Sequence, residues 1–189
     1  TQFRKKFRRL EKNGQVNLTF ITDADGYMAH VKEMRRLYNE RWADDYTLPL
    51  DDNYYHFRNE ALQALCKKNK VALYTLTLNG EMMIFRLGFM HNKVFYDWKV
   101  SHDPKFDEFS PGILIMGKII EDLINKGFTN FNFMAGDYPY KRSWAPQGAE
   151  STNYELIAAS HSLYPWLFLK YRLEWRDRLR DIYHQILEK

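Results

Sequence analysis

The spacing of apolar side chains changes character along the chain, and each change marks an element. Residues 2–12 form a short basic helical pattern ended by Asn13-Gly14. Val16-Asn-Leu-Thr-Phe-Ile21 alternates apolar and polar positions, which predicts a strand. Asp23 and Asp25 offer capping carboxylates. Behind them Met28, Val31, Met34, Leu37, Tyr38 and Trp42 recur at helical spacing and predict a helix near 26–43. A polar, proline-containing loop follows, and 53–68 reads as a second helix. The period then falls to two. Val71–Leu78, a turn at Asn79-Gly80, and Glu81–Met90 predict a β-hairpin. His91-Asn-Lys93 turns the chain again into Val94–Val100, completing a three-strand antiparallel meander. Residues 111–126 return to helical spacing, with Ile113, Leu114, Met116, Gly117, Ile120, Leu123 and Ile124 on one side and Gly127 as the stop. Further strands are predicted at 128–133 and 153–159, and Pro165 opens a basic helix running to about 187.

This order fixes an expectation for topology. Strands 94–100 and 128–133, joined through a helix, make a parallel crossover. The hairpins around them are antiparallel, so the sheet is expected to be mixed α/β (α+β) in class. No repeat, low-complexity tract or linker divides the chain, which predicts a single domain over 1–189. The sequence opens without Met and already inside a helical pattern, as expected of a fragment of a longer protein.

Composition narrows the class. The chain is 45% hydrophobic and 16% aromatic, enough for a real core and against disorder as the main state. No apolar run approaches the roughly 20 residues of a membrane span, and no secretory signal is present. Cys66 is the single cysteine; it falls among Ala61, Leu62 and Leu65 and reads as a buried structural thiol suited to a reducing cytoplasm. No pair among the six histidines has metal-ligand spacing, so no metal is expected. Net charge is +4, but the cations cluster in Arg4-Lys-Lys-Phe-Arg-Arg9 and again at Lys170, Arg172, Arg176, Arg178 and Arg180. Two readings stand: solvated helix faces, or contact with an anion such as RNA, a membrane surface or cofactor phosphates.

Two stretches carry candidate chemistry. In Phe109-Ser-Pro-Gly112, Ser110 is placed to cap the following helix, Pro111 fits its first position, and Gly112 permits close approach. That turn is either an ordinary cap or an anion site. The second stretch, Met134-Ala-Gly-Asp-Tyr-Pro-Tyr-Lys-Arg-Ser-Trp144, is too aromatic and too charged for a plain connection. Gly136 permits a tight turn; Asp137 can take a proton or orient a nucleophile; Lys141 and Arg142 can hold negative charge. The alternative is that Asp137 and Lys141 pair with each other, with Tyr138 and Trp144 in the core. Both stretches follow strand carboxyl ends, so they are expected at one edge of the sheet.

Those residues carry a resemblance. The basic opening Arg4–Gly14, the helix end Asn39-Glu-Arg-Trp42, the hairpin, Phe109-Ser-Pro-Gly112 and Phe131–Trp144 together resemble the GNAT superfamily of acyltransferases, in its CelD-like or FemAB-like branch, over roughly residues 2–160. Gly-Asp-x-x-Tyr-Lys following Ser-Pro-Gly is the ordered pair of motifs that matches. The resemblance implies a mixed, mostly antiparallel sheet flanked by helices. It implies acyl-CoA, usually acetyl-CoA, in a splay between strands 94–100 and 128–133, its pyrophosphate at Ser110, Pro111 and Gly112. An acceptor amine or hydroxyl of a sugar or cell-envelope precursor would attack the thioester directly. Asp137 would serve as base or orienter, Lys141 as stabilising charge, and Tyr140 as proton donor to the leaving thiolate. Arg41, Asp97, Trp98 and Arg142 would line the acceptor side.

The stretch Phe109–Leu114 departs from the family's pyrophosphate loop in keeping one glycine and lacking the leading Arg or Gln. FemAB-type relatives take an aminoacyl group from tRNA, which is the alternative donor, and a non-catalytic binding lobe is a third reading. Such proteins often pair two lobes, so an upstream domain is expected, with this chain as the C-terminal lobe. The resemblance places the protein in the cytoplasm, with contact to the inner face of an anionic membrane as an option.

Overall fold

The computed structural model describes residues 2–41, 52–136 and 138–145. All of them fall within one compact unit, Thr1–Pro146. Trp42, Asp137, the strand expected at 153–159 and the basic helix expected at 165–187 lie outside the described residues.

The elements run α1 (Gln2–Glu11), β1 (Val16–Ile21), α2 (Ala24–Arg41), α3 (Asp52–Cys66), β2 (Val71–Leu78), β3 (Glu81–His91), β4 (Val94–His102), a 3₁₀ turn (Pro104–Phe109), α4 (Pro111–Asn125), β5 (Asn130–Asn132) and α5 (Pro139–Trp144). The strands form one sheet in the order β1-β2-β3-β4-β5. The first three pairings are antiparallel and β4–β5 is parallel, so the expected mixed sheet is present. Asn79 and Gly80 take the positive φ values, 52° and 83°, of a tight hairpin turn, and Asn92 and Lys93 do the same at the next one.

Alternation sends side chains to two cores. On one face Tyr74, Leu76, Met83, Ile84 and Phe95 meet Leu114, Ile115 and Ile119 of α4, with Leu10 of α1. On the other, Leu73, Phe85 and Leu87 meet Met34 and Leu37 of α2 and Leu62 and Cys66 of α3. Cys66 is buried there, and burial pushes its thiol up, as an inert core thiol requires. The predicted helix faces need correction at their margins: Met28, Ile113 and Ile124 are exposed.

Three details position the site. First, α4 stops in a Schellman closure: Gly127, at φ 75°, donates its N–H to Ile124 O, and Phe128 donates to Leu123 O. This aims the chain into β5. Second, β5 is shorter than the predicted 128–133 and pairs with β4 only through Val94–Asn130, Phe95–Phe131 and Tyr96–Asn132. Third, the β3–β4 register shifts between Leu87 and Gly88, whose partners are Lys99 and Asp97, so Trp98 is skipped. A Cβ on Gly88 would stand 2.4 Å from both the Phe95 ring and Tyr96 O, so the strands reach this spacing only with glycine there.

Candidate active site

β4 runs on for six residues beyond Tyr96, the last residue bridged to β5. From Asp97 onward its ladder is with β3 alone, because β5 ends at Asn132. The carboxyl end of β4 leads to Ser110-Pro111-Gly112, and that of β5 leads to Gly136 and α5, so both candidate stretches lie at the same sheet edge.

The 3₁₀ turn, absent from the sequence reading, delivers the first stretch. Asp103 caps it by accepting from Lys105 N at 3.0 Å. Ser110 then sits at the N-cap of α4 in the left-handed region, φ 56° and ψ 58°. Its side chain makes no capping bond, which corrects the expected role. Instead Ser110 Oγ accepts from Lys6 Nζ at 2.6 Å. Arg9 joins the same junction, with Nη2 3.0 Å from Glu108 Oε2 and its guanidinium 5.8 Å from the Phe109 ring. Above Gly112 nothing lies within 4 Å of where a Cβ would be, leaving an open cradle on the first turn of α4. The donor set therefore fits a phosphate: a helix amino end, clear space and an ammonium. Lys6 stands 104 residues before Ser110 and was invisible to sequence reasoning as a site residue; the amphipathic, basic character of α1 was the one available hint. It supplies a cation that the loop itself lacks.

The second stretch holds a short helix rather than a plain loop. Pro139 at its first position was the signal that could have found it. Lys141 reaches back over the turn, its Nζ donating to Ala135 O at 2.6 Å, and lies 5.2 Å from the Tyr138 ring. Tyr138 is 56% exposed, not core as expected, and Trp144 is half-buried. Tyr140 is wedged among rings: Phe133 edge-on at 6.4 Å and Tyr138 stacked at 6.2 Å. Beneath it the Arg86 guanidinium lies 6.0 Å from the ring centroid. Burial raises the Tyr140 hydroxyl above its usual range; Arg86 opposes this, while Asp97 and Tyr138 add to it.

Arg86, on β3, was not anticipated. Its Nη1 donates to Asp97 Oδ2 across the strands, and both side chains are 4% exposed. Arg86 Nε and Asp97 Oδ1 have no hydrogen-bond partner. Burial pushes the Asp97 carboxyl up, opposed by Arg86 and by Lys141. Asp97, Tyr140 and Lys141 are thus brought together. Two of the other expected acceptor residues, Trp98 and Arg41, are not with them. Trp98 points to the α2/α3 face, its ring 5.2 Å from Phe89. Arg41 lies against His102 at the far end of β4, and His102 Nε2 is 2.6 Å from Asp107 Oδ1. Arg142 is exposed on α5. Among the described residues no cluster of His, Cys, Asp and Glu could hold a metal ion, and no helix is long and apolar enough to cross a membrane.

A mixed, mostly antiparallel sheet flanked by helices, with a parallel crossover through α4, is the architecture of the fold. Residues 1–142 match the model of the acetyltransferase (GNAT) domain family, and the chain belongs to that family. It is an acyltransferase. No curated protein matches it. Among solved structures it is similar in fold to an aminoglycoside acetyltransferase, meta-AAC0020, from an uncultured soil metagenomic sample, in complex with sisomicin. That match has a TM-score of 0.53 at 14% identity and covers 77% of this chain and 97% of that one. A possible acetyltransferase from Clostridium difficile 630 is similar at TM-score 0.54 and 9% identity, covering 77% and 99%.

Proposed function

We propose that the protein transfers an acetyl or other acyl group from acyl-CoA to an amine by direct attack in the gap between β4 and β5. The observation that carries this reading is the early end of the β4–β5 ladder beside a buried acid and a tyrosine flanked by aromatic rings. Lys6, Ser110 and Gly112 would hold the phosphates. The acceptor nitrogen forms a bond to the thioester carbon and gives its proton to a carboxylate, for which Asp137 is the proposed base. Backbone N–H groups stabilise the oxyanion, and Lys141 adds positive charge nearby. When the C–S bond breaks, its electron pair stays on sulfur and Tyr140 supplies the proton. The tyrosinate is then restored by the proton the acceptor lost.

The meta-AAC0020 structure with sisomicin supports a saccharide-sized acceptor bearing an amine. A sugar or envelope precursor, a FemAB-like or CelD-like relationship, and work at the inner face of a membrane are finer proposals resting on the sequence resemblance. Retention of tRNA in a salt-sensitive way, with no binding of acetyl-CoA, would favour an aminoacyl-tRNA donor instead. The direct experiment is calorimetric titration with acetyl-CoA, then thiol release with a panel of amino sugars. Lys6→Ala is expected to weaken acetyl-CoA binding about tenfold, the effect of one charge-assisted hydrogen bond. Gly112→Val should weaken it by filling the cradle. Unchanged affinity in both variants would remove the phosphate site.

A further inference from the structure

We infer that Arg86 is a positioning residue for the reaction: held by Asp97, it keeps a buried positive charge beneath Tyr140 and stabilises the tyrosinate left when that hydroxyl protonates the leaving sulfur. The inference rests on the proposed role of Tyr140 as proton donor.

Four observations lead there. A buried arginine–aspartate pair is often no more stabilising than an apolar pair of the same volume, so its presence needs a reason other than stability. This pair is also incomplete, since Arg86 Nε and Asp97 Oδ1 go without partners in an interior that exposes 4% of either side chain. A saturated structural bridge would leave neither atom orphaned. Its place in the sheet is specific: Asp97 follows directly on Tyr96, where the β4–β5 ladder ends, and lies opposite Gly88 at the register shift. Finally, the guanidinium lies beneath the one ring of α5 that Phe133 and Tyr138 clamp from other sides. Arg86 is itself buried, so its charge is poorly screened and acts on a charge formed on the Tyr140 ring above it, although Tyr140 is 41% exposed. Asp97 fixes the guanidinium and tempers its charge. Among the described residues, Tyr138 also acts on Tyr140, and Lys141 acts on Asp97.

The two partners act on Tyr140 with opposite signs, and the inference requires that the arginine's effect be the larger. The test is a ¹³Cζ-tyrosine NMR titration of the full chain, with the Tyr140 signal assigned by its loss in Tyr140→Phe. Asp97→Asn is expected to lower the Tyr140 midpoint relative to wild type and Arg86→Gln to raise it, while Lys141→Met moves it less than Arg86→Gln does. If either single variant fails to fold, Arg86→Lys and the double variant Arg86→Gln/Asp97→Asn replace it. The lysine variant should stay near wild type and the double should titrate higher. Shifts of the same sign in both single variants, or a double variant that titrates at or below wild type, overturn the inference. The underlying reading is tested separately: if Tyr140→Phe releases thiol from acetyl-CoA as fast as wild type with the best amine of the panel, Tyr140 is not the donor, whatever the titrations show.

Discussion

Two arginine–aspartate pairs are anchored on or beside β4, and they are built differently. Arg36 of α2 meets Asp103 just past the strand's end, at 3.1 Å, with the arginine side chain 37% exposed. The Asp103 carboxylate is well supplied: Oδ1 accepts from Lys105 N, Oδ2 from Arg36, and Lys105 Nζ stands 3.5 Å away. Arg36 also bonds Glu33 and Glu40. Arg86–Asp97 is buried on both sides and leaves one nitrogen and one oxygen unpaired. The first pair is a staple between a helix and a turn. The second keeps charge where a fold has little use for it, beside the place where the sheet opens. The lesson is that two ion pairs of the same residue types can differ wholly in burial and in partner count.

The comparison is broken most easily at the buried pair. Arg86→Ala should destabilise the chain by about 3–5 kcal/mol in urea unfolding, because Asp97 is left as an uncompensated buried charge. Arg86→Met with Asp97→Leu should recover most of that loss. A single-variant cost below about 1 kcal/mol would mean the pair is solvated. Gly88→Ala should cost about 1–3 kcal/mol, since its Cβ would meet Tyr96 O, a backbone atom that cannot swing away. Thermal melting tests this, and an unchanged midpoint would show that β3 and β4 can shift past each other. Arg36→Ala should cost about 1 kcal/mol, as Asp103 keeps its other donors; a loss as large as that of Arg86→Ala would erase the distinction.

The smallest effect is in acid. Burial alone would raise the Asp103 carboxyl, but the Lys105 N–H, Arg36 and the Lys105 charge together hold it below the usual range. A carboxyl depressed in the folded state adds stability above its unfolded value, about 4, and loses it as pH falls through the lower folded value. Asp103→Asn should therefore flatten the decline in stability below about pH 4. Denaturant midpoints from pH 5 to 2 measure it, and parallel curves for variant and wild type would show that Asp103 does not carry the acid response.

Much of this was legible in the sequence. The apolar runs at 71–78 and 81–90 and the Asn79-Gly80 and Asn92-Lys93 turns specify the meander, because φ > 0 between two such runs has few other uses. Gly127 marks the end of α4 for the same reason. The 3₁₀ turn and α5 were missed: Asp103-Pro104 and Tyr138-Pro139 signal each start, but elements of six residues have too little periodicity to register. Ser110 has the right residue type for a cap yet takes a left-handed backbone, and its hydroxyl goes to Lys6. Residue type alone does not fix φ.

Sequence by itself determined the order and type of the long elements, the parallel crossover, and the two loops at one sheet edge. These follow from local periodicity and from chain connectivity. Only the tertiary structure decided that Lys6 meets Ser110, that Asp97 pairs with Arg86, and that Trp98 packs toward the α2/α3 face. Each of these depends on strand register and on which helix covers which face. A shift of one residue at Leu87/Gly88 sends every later side chain of β4 to the opposite side, and no local pattern in the sequence records that shift.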